Sequence, residues 1–130
     1  MLLLTIRTDK SEAEIGLFDN ETELAYEKWE AHRELSQTIH KKIEALLKSQ
    51  KKKWKDLEGI ICYKGPGSFT GLRIGLTVGN SLAYSLDLPI VSDTGDDWIS
   101  KATKRLQNNE NEKIAMPEYG AEANITKPRK

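Results

Sequence analysis

The sequence of 130 residues lacks several features that mark other classes of protein. It has one cysteine, Cys62, which excludes a disulfide framework and a zinc site built from several thiolates. No apolar run reaches the roughly 20 residues of a transmembrane helix, and the apolar start Met1–Ile6 is too short for a signal peptide. Net charge is also absent, with 20 basic and 20 acidic residues. These absences predict a cytoplasmic protein without overall attraction to nucleic acid or to a membrane.

The charges that cancel overall are unevenly spread along the chain. Acidic residues are concentrated between positions 12 and 30, whereas lysines are concentrated between positions 41 and 55. Lys51–Lys53 and Lys55 surround Trp54, so this segment is either a solvated loop or a surface that contacts a phosphate backbone. The sequence leaves both interpretations open.

Hydrophobic periodicity predicts an α/β domain over residues 1–107. Strands are expected near 1–7, 13–19, 22–29, 58–63 and 88–91, and helices near 32–50, 69–86 and 96–107, the last capped by Thr94. Strand–helix–strand units imply parallel pairing, and the opening meander adds antiparallel strands, so the sheet is mixed and five-stranded. Residues 108–130 are polar and predict an extended or loosely docked tail.

The helix predicted over 69–86 carries a stripe of small residues. Gly71, Gly75, Gly79 and Ala83 recur at every fourth position, and each glycine inside a helix costs about 1 kcal/mol relative to alanine. Such a stripe indicates that the helix backbone approaches another element closely. Packing inside the domain and packing against a partner chain both satisfy this requirement.

The turn before this helix has the context of a phosphate-binding loop, because it follows a strand and opens a helix. However, no lysine and serine or threonine follow it in P-loop register, and Asp93 is a poor match to the acidic residue of a dinucleotide fold. Ser68 fits a helix N-cap better than a hydrolase nucleophile, since Pro66 and Thr70 stand where glycines are required. A tight structural turn and a nucleotide site both remain open, and no metal site is expected.

Residues 65–76 read GPGSFTGLRIGL, which closely resembles the signature of the TsaB family. The similarity extends over about residues 1–105. It implies one RNase-H-like half of the actin and sugar-kinase superfamily, and a non-catalytic dimerisation subunit for TsaD, the enzyme that places threonylcarbamoyl on tRNA. It further implies no cofactor, a TsaD-type partner, a TsaE-type ATPase in the same complex, self-pairing when alone, and indirect contact with tRNA.

The resemblance also implies functional positions and two departures from the family pattern. Arg7 stands where family members have the aspartate of the first strand's Asp-Thr-Ser-Thr motif, which argues against nucleotide chemistry. The chain ends before a second half could form, so a short form is expected. The signature turn comprises Gly65, Pro66, Gly67, Ser68, Phe69 and Thr70. The implied partner interface comprises His32, Leu35, Ile39, Gly71, Leu72, Gly75, Leu76, Gly79 and Ala83.

Overall fold

A computed structural model describes residues 1–67 and 69–118, leaving out the side chains of His32 and Phe69. The five strands and three helices expected from the sequence are all present, with ends that differ by a few residues at most. The strands are β1 (Leu2–Arg7), β2 (Glu12–Asp19), β3 (Thr22–Glu30), β4 (Gly59–Tyr63) and β5 (Ile90–Asp93). The helices are α1 (Leu35–Ser49), α2 (Phe69–Leu86) and α3 (Trp98–Gln107), with single 3₁₀ turns at His32–Glu34 and Trp54–Asp56.

The strands form one mixed sheet in the order β3-β2-β1-β4-β5. The β1–β2 and β2–β3 pairs are antiparallel, whereas β1–β4 and β4–β5 are parallel. The tight turn between β2 and β3 contains Asn20 with φ +53, a conformation that asparagine tolerates better than most residues. The predicted fold class, an α/β domain with a mixed five-stranded sheet, is therefore confirmed.

The sheet is covered on both faces, so its strands alternate between two cores. Leu4 and Ile6 point to the larger core, which α1 and α2 cover, whereas Leu3 points to the smaller core beneath α3. This alternation is the period-2 geometry of a strand whose two sides are both buried. Among the described residues, no helix is long and apolar enough to cross a membrane.

Of the extended or loosely docked tail predicted over 108–130, residues 119–130 lie outside the described residues. Residues 108–118 have neither helix nor strand and are held against β5 and α2. The backbone N–H of Glu112 donates to the Ile90 carbonyl at 2.8 Å, and the Asn111 side chain accepts from the Ile90 N–H at 3.1 Å. These bonds satisfy the outer edge of β5, which would otherwise present unpaired backbone groups. The side-chain amide of Asn80 in α2 then holds both backbone groups of Ala115, at 2.7 and 3.0 Å.

The start of α3 differs from the prediction for Thr94. The helix begins at Trp98 after Asp97, and no side-chain hydrogen bond caps it. The hydroxyl of Thr94 instead donates to the carbonyl of Gly65, so it ties the loop after β5 to the loop after β4. Sequence spacing alone could not distinguish a local cap from this long-range contact.

Candidate functional site

The signature turn follows β4 and lies at the carboxyl ends of the parallel strands. Gly67 packs against the β1–β2 turn so closely that a Cβ atom there would lie 2.4 Å from the Cβ of Asp9. Gly65 has φ +109, and a Cβ atom on it would lie 2.3 Å from the carbonyl oxygen of Glu118. Glycine is required at both positions, since any side chain would collide with backbone or with Asp9. Ser68 lies outside the described residues, so its predicted N-cap role is untested.

Beside this turn, Arg7 and Asp9 form an ion pair with two contacts. Arg7 Nε lies 2.8 Å from Asp9 Oδ1, and Nη2 lies 3.3 Å from Oδ2. The guanidinium also stacks over the Tyr63 ring, 3.9 Å from its centroid. Burial lowers the pKa of Arg7, but the hydrogen bond and charge of Asp9 outweigh it and raise that pKa above its ordinary value. The positive charge at position 7 is thus neutralised by Asp9.

The glycine stripe of α2 faces the chain's own sheet. A Cβ atom on Gly75 would lie 2.1 Å from Thr8 Oγ1, and one on Gly79 would lie 2.4 Å from Cys62 Sγ. The Thr8 hydroxyl also donates to the carbonyl of Gly71 at 2.7 Å. The sequence left two explanations for the stripe open, packing inside the domain and packing against a partner. Gly75 and Gly79 pack inside the domain. Because these two positions lack side chains, α2 packs directly against β1 and β4.

The apolar residues of the implied interface also lie inside the chain. At most 4% of each side chain is exposed, so they form the core between α1, α2 and the sheet. The group comprises Leu35, Ile39, Leu72, Leu76 and Ala83. Gly71 is partly exposed, and the side chain of His32 lies outside the described part of the chain. These side chains therefore serve mainly the chain's own core, and their assignment to a partner interface stays a prediction.

The opposite side of α2 is the accessible one. Arg73, Thr77, Ser81 and Tyr84 are exposed, Tyr84 by 91% of its surface. We call these four residues the outer face of α2. Sequence analysis missed this face because the conspicuous glycines lie on the other side of the helix. The signal that could have found it is the polar series at 73, 77 and 81, offset by two residues from the stripe.

A groove opens where the start of α2 meets the turn before α1. Its volume is about 510 Å³, and its lining mixes apolar side chains with polar and basic ones. The lining residues are Lys10, Ser11, Ala31, Arg33, Leu35, Thr70, Gly71 and Ile74. The groove joins both helices and the signature turn in one accessible surface that includes Gly71, whereas Gly75 and Gly79 face the sheet.

Neither a metal centre nor a reactive thiol is visible in the described part of the chain. No three His, Cys, Asp or Glu side chains in residues 1–67 and 69–118 are grouped to hold a metal ion. Cys62 is buried, and burial together with the charge of Glu112 raises its pKa from 9.0 to about 12. A thiol in this environment stays protonated and acts as a core residue.

Comparisons with known proteins point to one family. A family model described as TsaD, tRNA N6-adenosine threonylcarbamoyltransferase, matches residues 29–92, which include α1, the signature turn and α2. The tRNA threonylcarbamoyladenosine biosynthesis protein TsaB of Bacillus subtilis is 60% identical over 35 residues, covering 27% of this chain and 15% of the relative. TsaB of Escherichia coli is 30% identical over 91 residues, covering 70% of this chain and 39% of the relative.

A solved structure agrees with these sequence relatives. YeaZ from Pseudomonas aeruginosa superimposes with a TM-score of 0.66 at 25% identity, covering 72% of this chain and 43% of that one. The chain belongs to the TsaB family. It spans less than two fifths of the length of the B. subtilis and E. coli TsaB relatives. For this TsaB-family chain, the matched part contains the helices and the turn described above.

Proposed function

We propose that the chain is a non-catalytic subunit of a tRNA threonylcarbamoyladenosine modification complex, and that it pairs with a TsaD-type protein through α1 and α2. Family membership supports this proposal, and one structural observation carries it. The glycine stripe holds the inner side of α2 against the sheet, which leaves the outer face free for a partner. Cytoplasmic location, self-pairing on the same surface and a TsaE-type ATPase in the complex belong to the proposal as well.

The proposed interface is the outer face of α2 together with the groove at its start. Arg73 also lines a second depression of about 300 Å³, together with Leu76 and Thr77 of α2 and with Met116 of residues 108–118. Met116 and Ile114 are 66% and 64% exposed, so apolar surface lies next to the outer face. An apolar patch with a polar and basic rim is the usual composition of a protein–protein interface.

A nucleotide site at the signature turn is disfavoured by the contents of that turn. Asp9 occupies the space beside Gly67, and its carboxylate would repel a phosphate placed there. The positive charge of Arg7, which could attract a phosphate, is already neutralised by Asp9. The turn is therefore better suited to packing than to binding an anion.

Association with the TsaD-type protein of the same organism tests the proposal. We expect the two purified chains to form a heterodimer, measured by size exclusion with light scattering. Arg73→Glu combined with Thr77→Glu should weaken that association by about tenfold or more, because two charges enter the interface without partners. Both residues are exposed, so the circular-dichroism spectrum and melting temperature should stay unchanged.

A matched control separates the interface from general charge effects. Lys104 is exposed on α3, on the opposite side of the sheet, and Lys104→Glu should leave association unchanged. An absence of any complex with the unaltered chain would contradict the proposed function. A complex that tolerates the α2 double variant would leave the function standing and refute the assignment of the interface to the outer face.

A further inference from the structure

A basic groove lies at the end of the molecule opposite the signature turn. It has a volume of about 470 Å³, and its walls come from the end of α1 and the following loop. The groove is lined by Glu44, Leu47, Lys48, Lys51, Lys52, Lys53 and Trp54. We call this site the basic groove. It adjoins the amino ends of the parallel strands, because Lys51 and Lys52 also border a cavity with Met1 and Leu2.

The lysines of this region have no charged partner of their own. Among the described residues, no carboxylate lies within 4.0 Å of the ammonium groups of Lys48, Lys51, Lys52, Lys53 and Lys55. Other basic residues are neutralised internally, such as Lys42 by Glu27 at 2.7 Å and Arg105 by Glu112 at 2.8 Å. The five unpaired ammonium groups thus form a local positive field on a chain whose net charge is zero.

The neighbouring carboxylates are engaged elsewhere. Asp56 accepts a hydrogen bond from the backbone N–H of Lys53 at 2.8 Å, which fixes the loop rather than a lysine ammonium. Asp19 and Glu58 lie 3.3 and 3.8 Å from the N-terminal ammonium group. Glu44 is the one acid in the lining of the basic groove. The field at the groove therefore stays positive.

The groove also contains an aromatic ring. Trp54 is partly exposed, packs against the larger core, and has no hydrogen-bond partner for its indole N–H among the described residues. Backbone hydrogen bonds from Lys51 to Lys48 and from Lys52 to Leu47, at 3.0 and 2.9 Å, shape the loop that presents it. A partly exposed indole ring in a groove lined by four lysines offers stacking and phosphate contacts at once.

We propose that the basic groove binds single-stranded RNA, with lysines on successive phosphates and one unpaired base stacked on Trp54. The choice of RNA over another polyanion rests on the proposed role in tRNA modification. A concave site with a single aromatic ring is the geometry of a base-stacking platform, whereas a vesicle surface is broad and cannot enter a groove. The contact would bring the subunit itself onto the RNA of the complex.

Binding of a fluorescently labelled single-stranded RNA of about ten nucleotides to the isolated chain tests this proposal. Affinity should fall with salt, by a logarithmic slope of about 0.7 per phosphate contact. Lys52→Glu with Lys53→Glu should weaken binding at least about tenfold and reduce the slope by about 1.4. Trp54→Leu should weaken binding about fivefold or more without changing the slope, because stacking is lost while phosphate contacts remain.

The control is a second pair of exposed lysines without ion-pair partners among the described residues. Lys28→Glu with Lys104→Glu makes the same change in charge away from the groove, and it should leave RNA affinity within about twofold. Equal losses from both pairs, a flat salt dependence, or binding to phosphatidylserine vesicles but not to RNA would overturn the proposal. No TsaD-type protein is present in this assay, so its failure is distinguishable from failure of the proposed pairing.

Discussion

The two ends of the central sheet differ in how tightly their residues pack and in whether their charges are paired. At the carboxyl ends of β1 and β4, the signature turn, Arg7, Asp9 and the start of α2 are packed tightly and their charges are paired. At the amino ends, four lysines from the end of α1 and the following loop line a groove, without an ion-pair partner among the described residues. Around Arg7 and Gly67, internal contacts fill the space and pair the charges, whereas the lysines beside Trp54 line an open groove.

This difference shows that a conspicuous motif need not be the surface that a partner meets. Contacts within the chain require Gly67 and Gly75 of the signature, at Asp9 and Thr8, and Gly79 one helical turn later, at Cys62. The residues that remain free to contact another molecule are chemically ordinary, such as Arg73, Thr77 and Lys52. The motif therefore marks how the domain is assembled, and the accessible surfaces lie beside it and at the far end.

The largest expected effect on stability comes from placing a side chain at Gly75, where α2 lies closest to Thr8. Gly75→Leu should lower the free energy of unfolding by about 3 kcal/mol or more, because its Cβ would lie 2.1 Å from Thr8 Oγ1. Leucine improves helix propensity by about 1 kcal/mol, so a stabilised variant would show that the steric argument is wrong. Urea unfolding measures the difference.

The matched control for this substitution is Thr77→Leu on the outer face of the same helix. It adds a leucine two residues away at an exposed position, and stability should change by less than about 0.5 kcal/mol. Similar losses from both variants would mean that α2 has no packed and free side, and would remove the contrast that the structure draws.

A smaller effect is expected from the buried thiol beneath Gly79. Burial raises the pKa of Cys62 from 9.0 to about 12, so the folded chain keeps a proton that the unfolded chain releases. The stability contribution is therefore complete below about pH 9 and is lost as pH rises toward about 12. Between about pH 9 and pH 10, the free energy of unfolding should fall by about 1 kcal/mol.

This pH window is chosen to isolate Cys62. Tyr26 also has a raised pKa, through burial and its hydrogen bond to Glu14, but its ordinary value is 10.0, so it contributes mainly at higher pH. Cys62→Ala should be less stable below about pH 9, where the packing of Sγ is lost without any gain, and should lack this part of the slope. Equal slopes for both proteins in urea unfolding would show that Sγ is more accessible than the packing indicates.

The smallest expected effect belongs to the open end. Lys52→Gln with Lys53→Gln should change the free energy of unfolding by less than about 0.5 kcal/mol, since neither ammonium group has an ion-pair partner among the described residues. Relief of repulsion among the remaining lysines gives a slight gain at low salt that disappears at high salt. A clear destabilisation in either condition would show that these lysines serve the fold.

Most of the fold followed from local patterns. The alternation in residues 2–6 and 13–19 and the helical spacing in α1 predicted elements that the structure confirms, because a two-sided core selects for period 2 and period 3.6. The packing of residues 108–118 against β5 and α2 could not be predicted from such patterns. Its contacts depend on Asn80 and Ile90, which lie 35 and about 20 residues away in sequence, and polar composition alone indicates only exposure.

The candidate site, like the fold, has features that the sequence predicts and features that only the structure reveals. The sequence by itself determined the fold class, the signature turn, the need for a close approach along the glycine stripe and the concentration of lysines near Trp54. Only the tertiary structure decided which surface the glycines meet and which lysines stay unpaired. The physical reason is that spacing fixes the face on which a residue lies, whereas the packing of distant strands fixes what that face touches.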